Sequence, residues 1–163
     1  MSVDRERAQV YAAEVAAFDG TDLERVVGVD LVRRAIEATV AGEWWPGGVV
    51  VVRATRADAR SSATHCSLGD GSAATIAIAA PQATIATGAH ELAHALAGVA
   101  RGHDAVYRRA CLDVLQVMSN LDRLNGRGML HVDQLADAYA NADLAVGARM
   151  WPAPPSVGDA IAL

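Results

Sequence analysis

His90-Glu91-Leu92-Ala93-His94 sets two histidines four residues apart, with a glutamate directly after the first. On a helix, residues four apart share one face, one turn from each other. Two imidazoles so placed can reach a single tetrahedral zinc ion. Glu91 then sits one step round the helix. It is close enough to touch a metal-bound water without occupying the metal, the general-base position in this pattern. Ile85, Ala89, Leu92 and Leu96 recur on roughly the opposite side. One face can therefore pack on a core while the histidine face lines a cleft.

Two histidines leave zinc short of a protein ligand. Glu91 is the last glutamate in the chain, which excludes a downstream glutamate as the third. The longer H-E-x-x-H-x-x-G-x-x-H pattern also fails, because Ala97 and Ala100 stand at its glycine and third histidine. His103 is the leading candidate, with Asp104 as the alternative and His131 behind it. Gly98 and Gly102 let the chain turn between two helices. The inner stripe of the second helix (Val106, Ala110, Val114, Val117, Leu121), projected back, passes close to His103. Asp113, near that inner side, is placed to orient a ligand imidazole. His65 and Cys66 lack metal spacing relative to this group and read as structural.

The elements that must position these residues follow from periodicity. Ala8, Tyr11, Val15 and Phe18 form one stripe of a helix over about 3–18, stopped by Asp19-Gly20. A second helix starts after Asp30 as its cap, has an inner face of Leu31, Val32, Ala35, Ile36 and Val40, and ends by Trp45-Pro46. Val49 to Arg53 reads as a buried strand. Strands over 63–68 and 73–79 follow, with Asp70-Gly71 between them as a hairpin signal. Three helices close the chain, over about 84–99, 103–121 and 132–144. The tail from Pro152 cannot continue a helix and is expected to be loose. This order of helices, small sheet and helices predicts one α+β domain over 1–151, with a Pro-rich tail over 152–163.

Composition narrows the class. The chain has 163 residues, 52% of them apolar, and a formal charge of −5. All of its basic residues are arginine. That balance gives no electrostatic footprint for nucleic acid. No apolar run is long enough for a membrane helix. The charged start, Met1 to Arg7, lacks a signal-peptide core. Two distant cysteines, Cys66 and Cys111, read as reduced thiols. The expectation is a cytoplasmic protein with neither membrane nor nucleic-acid partners.

The metal segment resembles that of the SprT-like zincins. In those, H-E-x-x-H is followed by a Gly-His-Gly segment that gives the third ligand; here His94 is followed by eight residues and then Gly102-His103-Asp104. More closely, the chain resembles a small metallohydrolase family of actinobacteria and their phages. That family has an N-terminal segment similar to Arg7-Ala8-Gln9-Val10-Tyr11-Ala12-Ala13-Glu14 and a small sheet ahead of the metal helix. The likeness is specific from about Thr87 to Ala110 and looser elsewhere. It implies a zincin-like fold, with His90, His94 and His103 as zinc ligands and Glu91 as catalytic base. The segment departs from the family where Asp104-Ala105-Val106-Tyr107 replaces Gly-Pro and an aromatic. Asp-x-x-Tyr resembles instead the zincins with an aspartate ligand, which keeps Asp104 open as third ligand and Tyr107 as an oxyanion donor. The zinc ribbon or basic tail of DNA-linked relatives is not in this sequence.

The expected function is zinc-dependent hydrolysis, of a peptide bond in a peptide or protein substrate. Strand 73–79, just ahead of the metal helix, is expected to offer a free edge to an extended peptide. The alternatives are a zinc hydrolase acting on a non-peptide bond and a non-catalytic structural zinc module. The latter usually closes the fourth position with cysteine, and Cys111 lies two turns beyond His103.

Overall fold

The computed structural model describes residues 4–46, 48–66, 73–119 and 128–156. Its elements run α1 (Arg7–Phe18), α2 (Val29–Val40), β1 (Val49–Ala54), β2 (Ala63–Cys66), β3 (Ala73–Ile78), α3 (Ile85–Ala97), α4 (Ala105–Met118) and α5 (Gly128–Asn141). The α+β class expected from the sequence is present, with a three-stranded sheet. The Asp70-Gly71 turn and Leu121 lie outside the described residues.

Strand order is β1-β3-β2. β1 runs parallel to β3, from Val49 opposite Ala73 to Ala54 opposite Ile78. β2 runs antiparallel to β3, from Ala63 opposite Ala77 to Cys66 opposite Ala74. This overturns the expected free edge on strand 73–79. β3 is the central strand, and both of its ladders are taken. That position explains its small and branched residues: Ile76 and Ile78 are fully buried, as a strand between two others requires. Among the described residues, β2 is the edge strand beside α3.

The face of α1 also differs from the expected stripe. Ala8, Tyr11 and Val15 are exposed, and the core face is Val10, Ala13, Glu14, Ala17 and Phe18. A period of 3.6 locates a stripe but cannot say whether core or cleft receives it. α2 begins at Val29 after Gly28, whose φ is 91°, so Asp30 sits inside the first turn and pairs with Arg33 instead of capping. α3 and α4 match their readings more closely. Thr84 caps α3 by accepting from Thr87 N, and Ile85, Ala89 and Leu92 are buried. Asp104 caps α4 by accepting from the N–H groups of Val106 and Tyr107. The tail is tied down as far as Pro155, whose carbonyl accepts from Gln116 Nε2 at 2.8 Å.

Gly88 fixes how closely α2 approaches α3. A Cβ there would lie 2.8 Å from Val32 Cγ1. Gly88→Ala is therefore expected to destabilise the fold by about 1–3 kcal/mol through overpacking. Adding Val32→Ala should recover part of that loss, as read by denaturant unfolding. Equal stability of Gly88→Ala and the parent chain would show that the helices are free to separate.

Candidate metal centre

α3 carries His90 and His94 one turn apart. The chain then turns sharply through Gly98 (φ 97°) and Gly102 (φ 58°). That turn delivers His103 just ahead of α4. His90 and His103 are 7% and 4% exposed. One nitrogen from each of His90, His94 and His103 lies within 4.8 Å of the others. The third candidate expected from spacing is thus the one brought in. Asp104 caps α4 and pairs with Arg101. His131 is buried elsewhere, 3.2 Å from Asp22 Oδ1.

Two carboxylates set the orientation of these rings, and both come from the N-terminal segment. Glu14 Oε2 accepts from His90 Nδ1 at 2.8 Å. Asp4 Oδ2 accepts from His103 Nδ1. With Nδ1 as the donor, the neutral form of each of these two rings carries its lone pair on Nε2. Those Nε2 atoms lie 3.4 Å apart. Two lone pairs at that separation repel unless a proton or a cation lies between them. Two nitrogen ligands at zinc bond lengths in tetrahedral geometry would be separated by about 3.4 Å. Among the described residues, His94 Nδ1 is also buried without a hydrogen-bond partner. The donor set fits a divalent ion that accepts imidazole nitrogen.

Glu14 is the centre of a wider network. Its Oε1 accepts from Tyr107 Oη at 3.1 Å, Tyr139 Oη at 3.3 Å and Cys111 Sγ at 3.8 Å. A buried carboxylate needs such donors to stay ionised. Burial, and then the Glu14 charge, push the Tyr107 and Cys111 pKa values well up, so both remain protonated donors. Burial opposes a charge on His90, but the Glu14 charge and hydrogen bond outweigh it and raise the His90 pKa. His94 has no such partner. Burial, followed by the charges of His90 and His103, lowers its pKa to about 3. Burial opposes ionisation of Asp4 as well, yet its contact with His103 wins and lowers its pKa.

The structure puts Tyr107 behind the cluster. It is fully buried, with its hydroxyl 2.7 Å from His90 Nδ1, on the side of the ring away from Nε2. An oxyanion donor must face the open side of the metal; Tyr107 instead braces His90 and Glu14. Asp113 does not orient an imidazole either. It is a buried carboxylate that accepts from Arg149 and Trp151, fastening the C-terminal segment to α4. Cys111 faces Glu14 behind His90 and takes no place among the clustered nitrogens. His65 is exposed on β2.

Glu91 is 7% exposed and held from the sheet. Thr64 Oγ1 on β2 lies 2.7 Å from Glu91 Oε2 and 2.8 Å from the Glu91 carbonyl. The one hydroxyl proton is shared between the carboxylate and the carbonyl of the candidate base. Arg108, 2% exposed, donates to the His103 carbonyl at 2.8 Å and to Glu6 at 2.6 Å, tying the third histidine to the N-terminal segment. Tyr11 stacks on His90 with ring centroids 5.1 Å apart and 16° between planes, and its centroid is also 5.1 Å from that of His103. Sequence reasoning missed Asp4, Glu14, Thr64 and Arg108. Only Glu14 carried a signal, an acidic residue beside the apolar positions of α1.

A cleft of about 400 Å³ opens beside this cluster. Tyr11, Val15 and Phe18 of α1 form one wall, and Ser62, His90 and Glu91 border the other side. The stripe read from α1 is therefore largely a cleft wall. No family model, curated protein or solved structure matches the chain. The likeness to SprT-like zincins rests on the motif residues themselves.

Two outcomes are expected. Glu14→Gln keeps the shape but loses the charge that holds His90, and should weaken zinc binding about 10- to 100-fold in chelator competition. The second concerns pH in the metal-free protein. His94 titrates near 6.5 when unfolded and near 3 when folded, so the unfolded chain binds the extra proton between those values. Stability should fall as pH drops through that window, and the slope should be shallower in His94→Gln. The raised pKa of His90 acts in the opposite sense, its contribution being lost as pH rises through the folded value. Unfolding midpoints measured in chelator across pH test both.

Proposed function

We propose that this chain is a zinc-dependent metallohydrolase of the zincin type that cleaves peptide bonds. The observation that carries the reading is the joint placement of three converging imidazoles and a buried glutamate one residue from the first of them. His90, His94 and His103 would hold the ion. Zinc in such a site supplies a Lewis acid and lowers the pKa of a bound water toward ~7.

The chain's own residues do the rest. Glu91, with one oxygen held by Thr64, takes the proton from the attacking water through the other. It then delivers that proton to the leaving amine. Asp4 and Glu14 hold the Nδ1 atoms of His103 and His90, which aims their Nε2 atoms at one another. The cleft alongside Tyr11, Val15 and Phe18 gives an extended chain an apolar wall to lie against. These features support hydrolysis over a purely structural metal site, in which neither a held glutamate nor an adjoining cleft is required.

The test begins with the metal content of the purified protein, followed by incubation of the zinc form with a peptide library. One zinc per chain and cleavage are expected. Glu91→Gln should retain zinc and lose about 10²–10⁴ in kcat. Thr64→Val should lower kcat with zinc content unchanged. Absence of stoichiometric zinc overturns the metal reading. Full activity in Glu91→Gln overturns the assigned base, and zinc binding without any hydrolysis leaves a structural module.

A further inference from the structure

The cleft does not end at the metal. α1 carries its wall from Tyr11, stacked on His90, through Val15 to Phe18. Seven residues of helix cover about 10 Å along the axis. Val15 is 60% exposed there, an apolar side chain on an open surface. Ala86 of α3 lines the cleft with a small side chain. Glu24 also lines the cleft, and it makes no ion pair among the described residues.

We propose that this cleft is a side-chain subsite that selects a lysine or arginine near the bond to be cleaved, with the apolar stem on Tyr11 and Val15 and the cation at Glu24. The proposal rests on the peptidase reading of the site beside it. The wall and the carboxylate ask for different things, and few side chains supply both. A lysine or arginine stem lies along apolar surface while its head reaches a charge. An acidic side chain would meet a like charge, because Asp19 and Glu14 also act on Glu24. Burial, and after it those two charges, raise the Glu24 pKa. An arriving cation relieves that repulsion. Arg7 lies with its guanidinium carbon 5.4 Å from the Tyr11 ring centroid, beside the Glu14 and Glu91 carboxylates that also line the cleft.

The experiment uses the zinc-loaded full chain and Nα-acetylated peptides that differ at one position: lysine, arginine, norleucine or glutamate. Lysine and arginine should raise kcat/KM about fivefold over norleucine, the scale of an exposed ion pair. Glu24→Gln should bring that ratio near one, and Glu24→Lys should favour the glutamate peptide. A ratio unchanged in both variants overturns the proposal. A preference that exists only in peptides with a free amino terminus assigns the cation to the α-amine and overturns the side-chain subsite.

If the parent chain cleaves none of these peptides, the peptidase reading fails by itself. The subsite is then decided by binding of Nα-acetyl-lysine amide and Nα-acetyl-norleucine amide to zinc-loaded Glu91→Gln, followed by NMR shifts of cleft residues. Tighter binding of the lysine compound, lost on adding Glu24→Gln, supports the subsite. Equal binding of the two compounds overturns it.

Discussion

Everything around the candidate centre depends on keeping two imidazole lone pairs 3.4 Å apart in a buried place. That arrangement is unfavourable by itself. It persists because Glu14 and Asp4 commit the opposite ring nitrogens as donors. Each carboxylate then needs its own stabilisation. Glu14 obtains it from Tyr107, Tyr139 and Cys111. Asp4 obtains it from His103 and from the room left by Gly102, where a Cβ would lie 2.9 Å from the Asp4 carboxyl carbon. A chain of constraint thus runs from the cluster outward into four helices and the N-terminal segment. A buried polar network of this kind is costly unless every member is satisfied. Among the described residues, His94 Nδ1 is the member left over.

The division of labour between elements follows from this. α3 supplies two imidazoles and the candidate base on a single rigid helix. The sheet contributes little more than Thr64, yet that hydroxyl sits on both the carboxylate and the carbonyl of Glu91. α4 contributes Tyr107 and Cys111 from behind. α1 contributes on both of its faces: Glu14 inward beneath His90, Tyr11 outward over it. A helix that at first looks like a simple amphipathic cover is therefore part of the site. The exposed apolar side chains of α1 gain a physical reason as well, because a cleft wall needs apolar surface that the core does not consume.

Much of the fold was legible because local rules governed it. Turn residues and period marked α3 and α4, and Asp104 and Thr84 cap them as side-chain acceptors do. Misreadings occurred where two solutions share one local pattern. Strand 73–79 reads the same as an edge or a centre, and only the pairing with β1 made it central. The stripe of Tyr11 and Val15 reads the same toward core or cleft. Asp113 has the spacing of a partner for a ligand, but Arg149 and Trp151, more than thirty residues away in sequence, claim it.

By itself the sequence determined the pair of histidines, the glutamate between them and the elimination of every later glutamate as a ligand. Those follow from helical spacing and composition, which need no neighbours. It also favoured His103, because glycines mark where a chain can reverse. The tertiary structure alone decided which nitrogen of His90 and of His103 faces inward. Ring orientation is set by the group on the other side, and that group lies 76 residues from His90 and 99 from His103. No period or motif encodes a contact of that range. Only the packing of α1 and the N-terminal segment against α3 and α4 brings it about.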